Sequence, residues 1–579
     1  MTVLEITVSW IIGLRLLSSN DKLAPFRTAL RQRVMVCRQT APGLCLKVLL
    51  AMPLCLGAQT SWAQSQPDAS SLLGQHKPTV KAFHESDSQI QVAQNIRQPI
   101  VAGGATVLVK GVLIKGAHVF SESELLDVLG QTQGISLDMA GLQALANRIT
   151  QHYHQAGYLF ALAYFPPQSV TSGTVVIEVM EGHYGHISTS GEVDIAESAK
   201  PYLQALKSGD VIAQVPLTRA MLILADVPGI DIKPVLRPGA VLNTADMDVM
   251  VSEGRSWDGS FTLDNHNSRY TGDIHGRLAF GFNHALSFGD RLSLSWEDSL
   301  RRATDGNANT YAIDYALGLG SNGLRGKATI SQSAYSLGHD FVGFTGSAKA
   351  LSVGLSYPII RSIQTNLIAN FSYEHNDLSD YLNAISYSTQ TTRVVSTGLR
   401  FDHRDAWLGG GQTTAHVSLD EGHISATSDG SGANKIRKLA VDVSREQSLF
   451  GPIGLRINGH GHTNKYALND YHKTALGGAQ GVRAYPSGEA VGPSGGYLQT
   501  EFNYSHGGYL PFAFYDFGII GARTNNAGRT LSGYGIGLRT VQRAYEAAIS
   551  VAWKGVGGIG QSDSQQRSPQ VWSQIKSSF

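Results

Sequence analysis

The chain has 579 residues, with 46 Lys and Arg against 45 Asp and Glu, 64 Gly, 22 Tyr and only 16% charged residues. A charge this close to balance leaves no electrostatic footprint for nucleic acid, and the length exceeds one ordinary domain and fits about two to four. No uncharged apolar run reaches the ~18 residues that a spanning helix needs, while the Gly and Tyr content suits a chain rich in strands and turns.

All three cysteines, Cys37, Cys45 and Cys55, lie before residue 64. Arg31, Arg33, Arg38 and Lys47 precede the apolar run 48–56, and Ser61-Trp62-Ala63 follows as a small-x-small cleavage pattern. This predicts a secretory signal over residues 1–63, either extended or begun at Met35, whose removal leaves an exported chain without thiols. Residues 64–103 are rich in Gln, Ser, Asp and His and poor in large apolar residues, so they read as a linker in which 68–73 form a short helix at most.

From Thr106 the pattern becomes β-rich, in VLVKGVLIKG, and then gives a helix start: Ser121 as N-cap, Glu124 closing a capping box, Phe120 and Leu125 as the staple. A second helix starts at Asp138, carries Leu142, Leu145, Ala146 and Ile149 on one stripe, and stops at Gly157. Strands over 161–165 and 174–180 close the unit. A second unit of the same order fills 184–253, with a helix predicted over 217–230 and Leu-Arg-Pro-Gly at 236–239.

From Trp257 the period is two. Ile274, Leu278, Phe280 and Phe282 share one face while His275 and Arg277 take the other, and Tyr545, Ile549, Val551 and Trp553 oppose Glu546 and Ser550. One apolar and one polar face, repeated, marks a transmembrane β-barrel. Segments begin near 258, 273, 290, 310, 324, 347, 365, 393, 411, 436, 453, 496, 511, 532, 544 and 569, giving sixteen antiparallel strands of roughly ten residues each. Closure would remove the sheet edges that lipid does not tolerate. The last segment ends in Phe579, with Ile575 and Val571 on its face.

Between the eleventh and twelfth segments lies a Gly-, Pro- and Ser-rich loop, 477–496, containing Val482-Arg483-Ala484-Tyr485. Loops of this length in a regular array are usually functional. Two segments on, Phe514-Tyr515-Asp516-Phe517-Gly518 places Phe514, Asp516 and Gly518 on the inner face by parity, and Tyr515, Phe517 and Ile519 on the lipid face. Arg483 folded inward could pair with Asp516, in which case loss of either should cause a similar defect; otherwise the loop is an outer one whose Arg meets only water.

These features resemble the two-partner secretion transporters of the outer membrane, the haemolysin secretion/activation family of the ShlB/FhaC/HecB type. The tetrad resembles that family's Val-Arg-Gly-Tyr/Phe loop motif, and Phe514, Asp516 and Gly518 its Phe-x-Asp-x-Gly. The β-α-α-β-β order, Ala156-Gly157-Tyr158, 179–182 (VMEG) and the second unit's helix with 236–239 are similar to its POTRA domains. The resemblance implies a plug helix and linker at 64–103, POTRA domains at 104–183 and 184–254, and a sixteen-stranded barrel at 255–579. It also implies that the region 104–254 captures the secretion domain of a cognate large exoprotein in the periplasm and that the barrel, a monomer in lipid, passes it outward. Ala484 departs from the motif's Gly, which implies an altered or strained loop tip if that Gly has positive φ. An assembly insertase of the same superfamily, usually with more POTRA units, and a passive porin, with no need of any, are the rival readings.

Other candidates are weaker. His460 with His462 and His152 with His154 lack a third metal ligand close by, and the glycines of 533–539 and 555–560 lack the strand-to-helix setting of a phosphate cradle. No Ser-His-acid set can be assembled, so no enzyme, cofactor or metal is expected.

Overall fold

A computed structural model describes residues 103–579 apart from 171, 301–305, 427–433, 465–471, 523–527 and 543. The expected signal peptide, and the plug helix and linker up to residue 102, lie outside the described residues.

The first αβ unit contains β1 (Val107–Leu108), β2 (Gly111–Lys115), α1 (Glu122–Leu129), β3 (Ser136–Leu137), α2 (Met139–Gln155), β4 (Leu162–Tyr164) and β5 (Thr174–Met180). β2 and β4 flank β5, the first parallel and the second antiparallel to it. The Ser121 hydroxyl accepts from Glu124 N at 3.3 Å, which forms one half of the capping box. The Glu124 carboxylate lies 4.0 Å from His152 Nε2 on α2. Asp138 caps α2 by accepting from Gly141 N at 2.8 Å, and Gly157 at φ +91° supplies the left-handed stop. The apolar stripe of α2 then buries Leu145, Ala146, Ile149 and Tyr153 against Ile177 and Val179 of the sheet.

The second unit repeats this order with β6 (His183–Gly191), α3 (Val193–Ala199), α4 (Gln214–Ala225), β7 (Ile230–Pro238) and β8 (Thr244–Glu253), β8 in the centre of the sheet. The helix expected over 217–230 starts earlier, at Gln214, and ends at Ala225. Pro228 disfavours helical geometry in the residue before it, Gly229 turns at φ +77°, and Ile230 already opens β7.

The rest is a closed antiparallel barrel of sixteen strands. β9 (Trp257–Asp264), β10 (His275–Asn283), β11 (Arg291–Ser299), β12 (Asn307–Gly318), β13 (Arg325–Ser336) and β14 (Phe344–Arg361) follow in order. β15 (Thr365–Leu382), β16 (Ile385–Asp405), β17 (Gly411–Ala426), β18 (Asn434–Phe450) and β19 (Ile453–Asn464) continue the series. After a long loop holding the short β20 (Thr474–Ala475) and β21 (Val491–Gly492), it ends with β22 (Gly495–Tyr504), β23 (Tyr509–Ile520), β24 (Arg529–Val541), β25 (Tyr545–Lys554) and β26 (Gln570–Ser578). Gly495 and Gly496 thus belong to a strand and not to the loop.

Two expectations about the strands need correction. The eighth strand begins at Ile385, not near 393, and β14 to β18 run to between 16 and 21 residues where roughly ten were expected. Along the outer face of β14, Leu351, Val353 and Leu355 are apolar, but at the end remote from the αβ units the outer positions become Lys349, Asp377 and Thr391. Thr391 donates to Asp377 there at 2.8 Å. A sheet continues past a bilayer wherever polar side chains take over its outer face, so these hairpins stand above the membrane.

β26 pairs with β9 to close the barrel, and Phe579 and Gly259 exchange backbone hydrogen bonds of 2.9 and 3.0 Å. The second αβ unit docks on the turns at the near end. Asp226, just past α4, accepts from Arg361 Nε at 2.8 Å and Nη2 at 2.7 Å, while Arg219 Nη2 on α4 donates to Pro358 O at 2.7 Å.

Candidate functional site

The loop between β19 and β22 turns back into the barrel. Its two limbs are zipped by β20 and β21 and by backbone bonds from Leu476 N to Glu489 O (2.9 Å), Val482 N to Leu476 O (2.6 Å) and Gly478 N to Tyr485 O (3.1 Å). This compact hairpin buries Leu476, Val482, Ala484 and Tyr485 against Phe512, Phe514, Ile520, Leu531 and Ala552. Alternation along β23 leaves Tyr515, Phe517 and Ile519 exposed and Phe514, Asp516 and Gly518 buried under the loop.

Arg483 occupies the centre. Its Nε and Nη2 donate to Asp516 Oδ2 and Oδ1 at 2.8 and 2.7 Å, its backbone N to Oδ2 at 3.0 Å, and Nη1 to Glu501 Oε1 on β22 at 2.5 Å. The guanidinium lies 3.6 Å from the centre of the Phe514 ring, and Trp572 Nε1 on β26 donates to Arg483 O at 2.7 Å. Glu501 also accepts from Arg539 on β24 at 3.3 Å. Two cations thus meet two carboxylates in a buried network whose charges balance, the condition under which buried ions are tolerated.

Ala484 stands in for a glycine without backbone strain, since it is not among the non-glycine residues with positive φ. Room for its methyl comes from the wall: a Cβ on Gly533 would collide with the Ala484 Cβ. Gly535 and Gly537 likewise leave space for the Phe514 and Phe512 rings, so the glycines of 533–537 form a groove on the inner face of β24. A Cβ on Gly518 would stand 3.1 Å from both Leu476 and Val482, which gives that motif glycine a packing reason.

The structure therefore brings together Val482, Arg483, Ala484, Tyr485, Phe514, Asp516 and Gly518, and adds four residues that sequence reasoning missed: Glu501, Arg539, Trp572 and Gly533. Inward parity next to an ionic strand is the signal that could have found Glu501. Period-two glycines on one face could have found Gly533. His460 and His462 share Thr474 at the base of the loop, at 3.0 and 2.5 Å, and His460 also meets Asp442 at 2.6 Å. His152 and His154 lie on α2, where His154 bonds Ala161 O at 3.0 Å. Among the described residues no cluster of three or more His, Cys, Asp or Glu is placed to hold a metal ion.

In the first αβ unit a buried carboxylate fixes the β2–α1 connection. Glu181 accepts from His118 N at 2.6 Å, Val119 N at 2.7 Å and the Tyr153 hydroxyl at 2.8 Å. Burial alone would raise its pKa, but these donors outweigh burial and hold it below the ordinary carboxylate value.

The sequence model of the haemolysin secretion/activation protein family ShlB/FhaC/HecB matches residues 243–540, and that of the ShlB-type POTRA domain matches residues 107–182. The chain is 24% identical over 493 residues to the heme/hemopexin transporter protein HuxB of Haemophilus influenzae, across 79% of this chain and 84% of the relative. To the outer membrane transporter CdiB of Escherichia coli it is 23% identical over 418 residues, across 69% and 70%. The solved structure of CdiB from Escherichia coli superposes with a TM-score of 0.66 at 19% identity, covering 88% of this chain and 95% of that one. CdiB from Acinetobacter baumannii gives 0.61 at 17% identity, covering 97% and 100%. With more than half of its residues inside the family model and a POTRA-bearing, sixteen-stranded barrel around an arginine-anchored loop, the chain belongs to the haemolysin secretion/activation family ShlB/FhaC/HecB and is an outer-membrane transporter of two-partner secretion, its POTRA region on the periplasmic side.

Proposed function

We propose that the POTRA region recognises one cognate large exoprotein in the periplasm and that the barrel passes it outward as an extended chain. The observation that carries this reading is the pair of small sheets at the periplasmic end, ordered β2-β5-β4 and β6-β8-β7, whose outer strands pair with no further strand among the described residues, apart from a single bridge between His183 and Val211. An open edge can accept an incoming strand by backbone hydrogen bonding, which suits a client that has not folded. No nucleotide is available in the periplasm, so folding of the client outside supplies direction. Relatives named as a heme/hemopexin transporter and as CdiB supply the first cargo classes to test.

Deleting residues 106–182 tests recognition. The barrel should still insert and run as a folded, heat-modifiable band, while the cognate exoprotein stays in the periplasm. Undiminished secretion by that deletion would move recognition out of the first unit.

A further inference from the structure

Arg483 ties the plug loop to strands, and a second buried charge ties it to an outer loop as well as to the end of β24. Glu489, fully buried on the returning limb, points away from the Arg483 network. Its carboxylate accepts from Gln561 N at 2.8 and 2.9 Å and Ser562 N at 2.7 Å, and pairs with Arg529 Nη1. Arg529 in turn donates to Ile559 O at 2.8 Å and Gly557 O at 3.2 Å. The same outer loop, 555–569, accepts the Tyr485 hydroxyl at Val556 O (3.0 Å) and Gly558 O (3.2 Å), and Ser562 Oγ reaches Ser487 O at 3.4 Å. Ser487 Oγ donates to His266 O in the outer loop between β9 and β10 at 2.5 Å.

These outer loops hold one another as well. Arg269 pairs with Asp563 at 2.5 Å and Asp340 at 3.5 Å, Ser564 Oγ donates to Asp340 at 2.7 Å, and Arg567 lies 3.5 Å from Asp273. The connections 265–274, 337–343 and 555–569 thus make a cap over the far mouth, and Glu489 fastens the plug beneath it.

We propose that Glu489 is the outer latch of the plug: a positioning residue that keeps the loop in the lumen by binding the cap, and whose contacts must break before a polypeptide can pass. A carboxylate holding two backbone N–H groups and a guanidinium is a strong contact when made. It is also localised, and lies where an emerging chain would push plug and cap apart. The inference rests on the transport reading above, so its test has one arm that needs no cargo.

In planar bilayers without exoprotein, Glu489→Gln keeps the side-chain volume and removes the charge. The frequency of large-conductance openings should rise about tenfold, the factor that corresponds to losing one hydrogen bond to a charged group. Glu489→Asp should fall between it and the parent, and heat-modifiability should be unchanged in both. In cells, a Ser487→Cys/Ser562→Cys pair joined by a cleavable bis-thiol reagent should block export, and reductant should restore it. Residues 64–579 contain no other cysteine to interfere. Unaltered opening frequency in Glu489→Gln, or export at the uncrosslinked rate through the crosslinked pair, overturns the latch. A parent protein that exports nothing would instead defeat the transport reading and leave the conductance result standing.

Discussion

Arg483 is sandwiched between Asp516 and Glu501, so substitutions at the two ends of the motif pair should differ in effect. Arg483→Ala strands the buried Asp516 and leaves Glu501 only its longer contact to Arg539, and should cost about 3–5 kcal/mol. In Asp516→Ala the guanidinium keeps Glu501, and the loss should be about 1–3 kcal/mol. The double variant, in which Glu501 retains Arg539, should be no worse than Arg483→Ala. Heat-dependent unfolding on gels and export assays together check this order, and an Asp516→Ala defect equal to that of Arg483→Ala would argue against the Glu501 contact. Equal defects, as a simple pair implies, are therefore no longer the expectation. At Glu181 the folded pKa lies below its ordinary value of 4.5. Its contribution is therefore present in full above that pH and is lost as pH falls through the lower folded value. Glu181→Gln should abolish this acid dependence and loosen α1 by about 1–3 kcal/mol, seen as faster amide exchange in residues 118–129.

Among elements, β24 matters most for the loop. Its inner glycines are unfavourable as strand formers, yet each faces a group of the plug or of β23. Gly533→Ala should expel the loop tip, since its methyl and that of Ala484 claim the same space. Adding Ala484→Gly should restore export and thermal stability together, because the double variant moves the methyl from loop to wall. Protease accessibility of the loop gives a direct reading of its position. Failure of the second substitution to rescue would show that the contact is not what limits Gly533.

At the scale of the molecule, the second αβ unit meets the barrel through α4 and the periplasmic turns. Asp226 and Arg361 form an ion pair there at 2.7 Å, with Arg361 also donating to Asn366 at 3.0 Å. Arg325 adds a bond to Asp226 O at 3.4 Å. Asp226→Ala should leave the barrel folded and release this unit from the rim. A spin-label distance distribution between α4 and the turn at 362–364 should broaden markedly; an unchanged distribution would mean that apolar contacts such as Tyr202 on Phe288 suffice.

Much of this was legible in the sequence because it rests on local periodicity. Period two fixed which side of each strand faces lipid, as in 509–520, and capping residues such as Ser121 and Asp138 marked helix starts. The strand count followed from the repeated segments of alternating apolar and polar residues, and parity aimed Asp516 inward. What only the tertiary structure decided involves residues far apart in the chain. Glu501, Arg539 and Trp572 reach Arg483 because closing the barrel brings β22, β24 and β26 around one point, and no local pattern encodes that convergence. The overlong β14 to β18 were misjudged for a related reason, since a strand that leaves the membrane keeps its pairing and its period while only its outer face turns polar. Ala484 is tolerated for a reason equally remote in sequence: Gly533, on another strand, lacks the side chain that would have occupied its space.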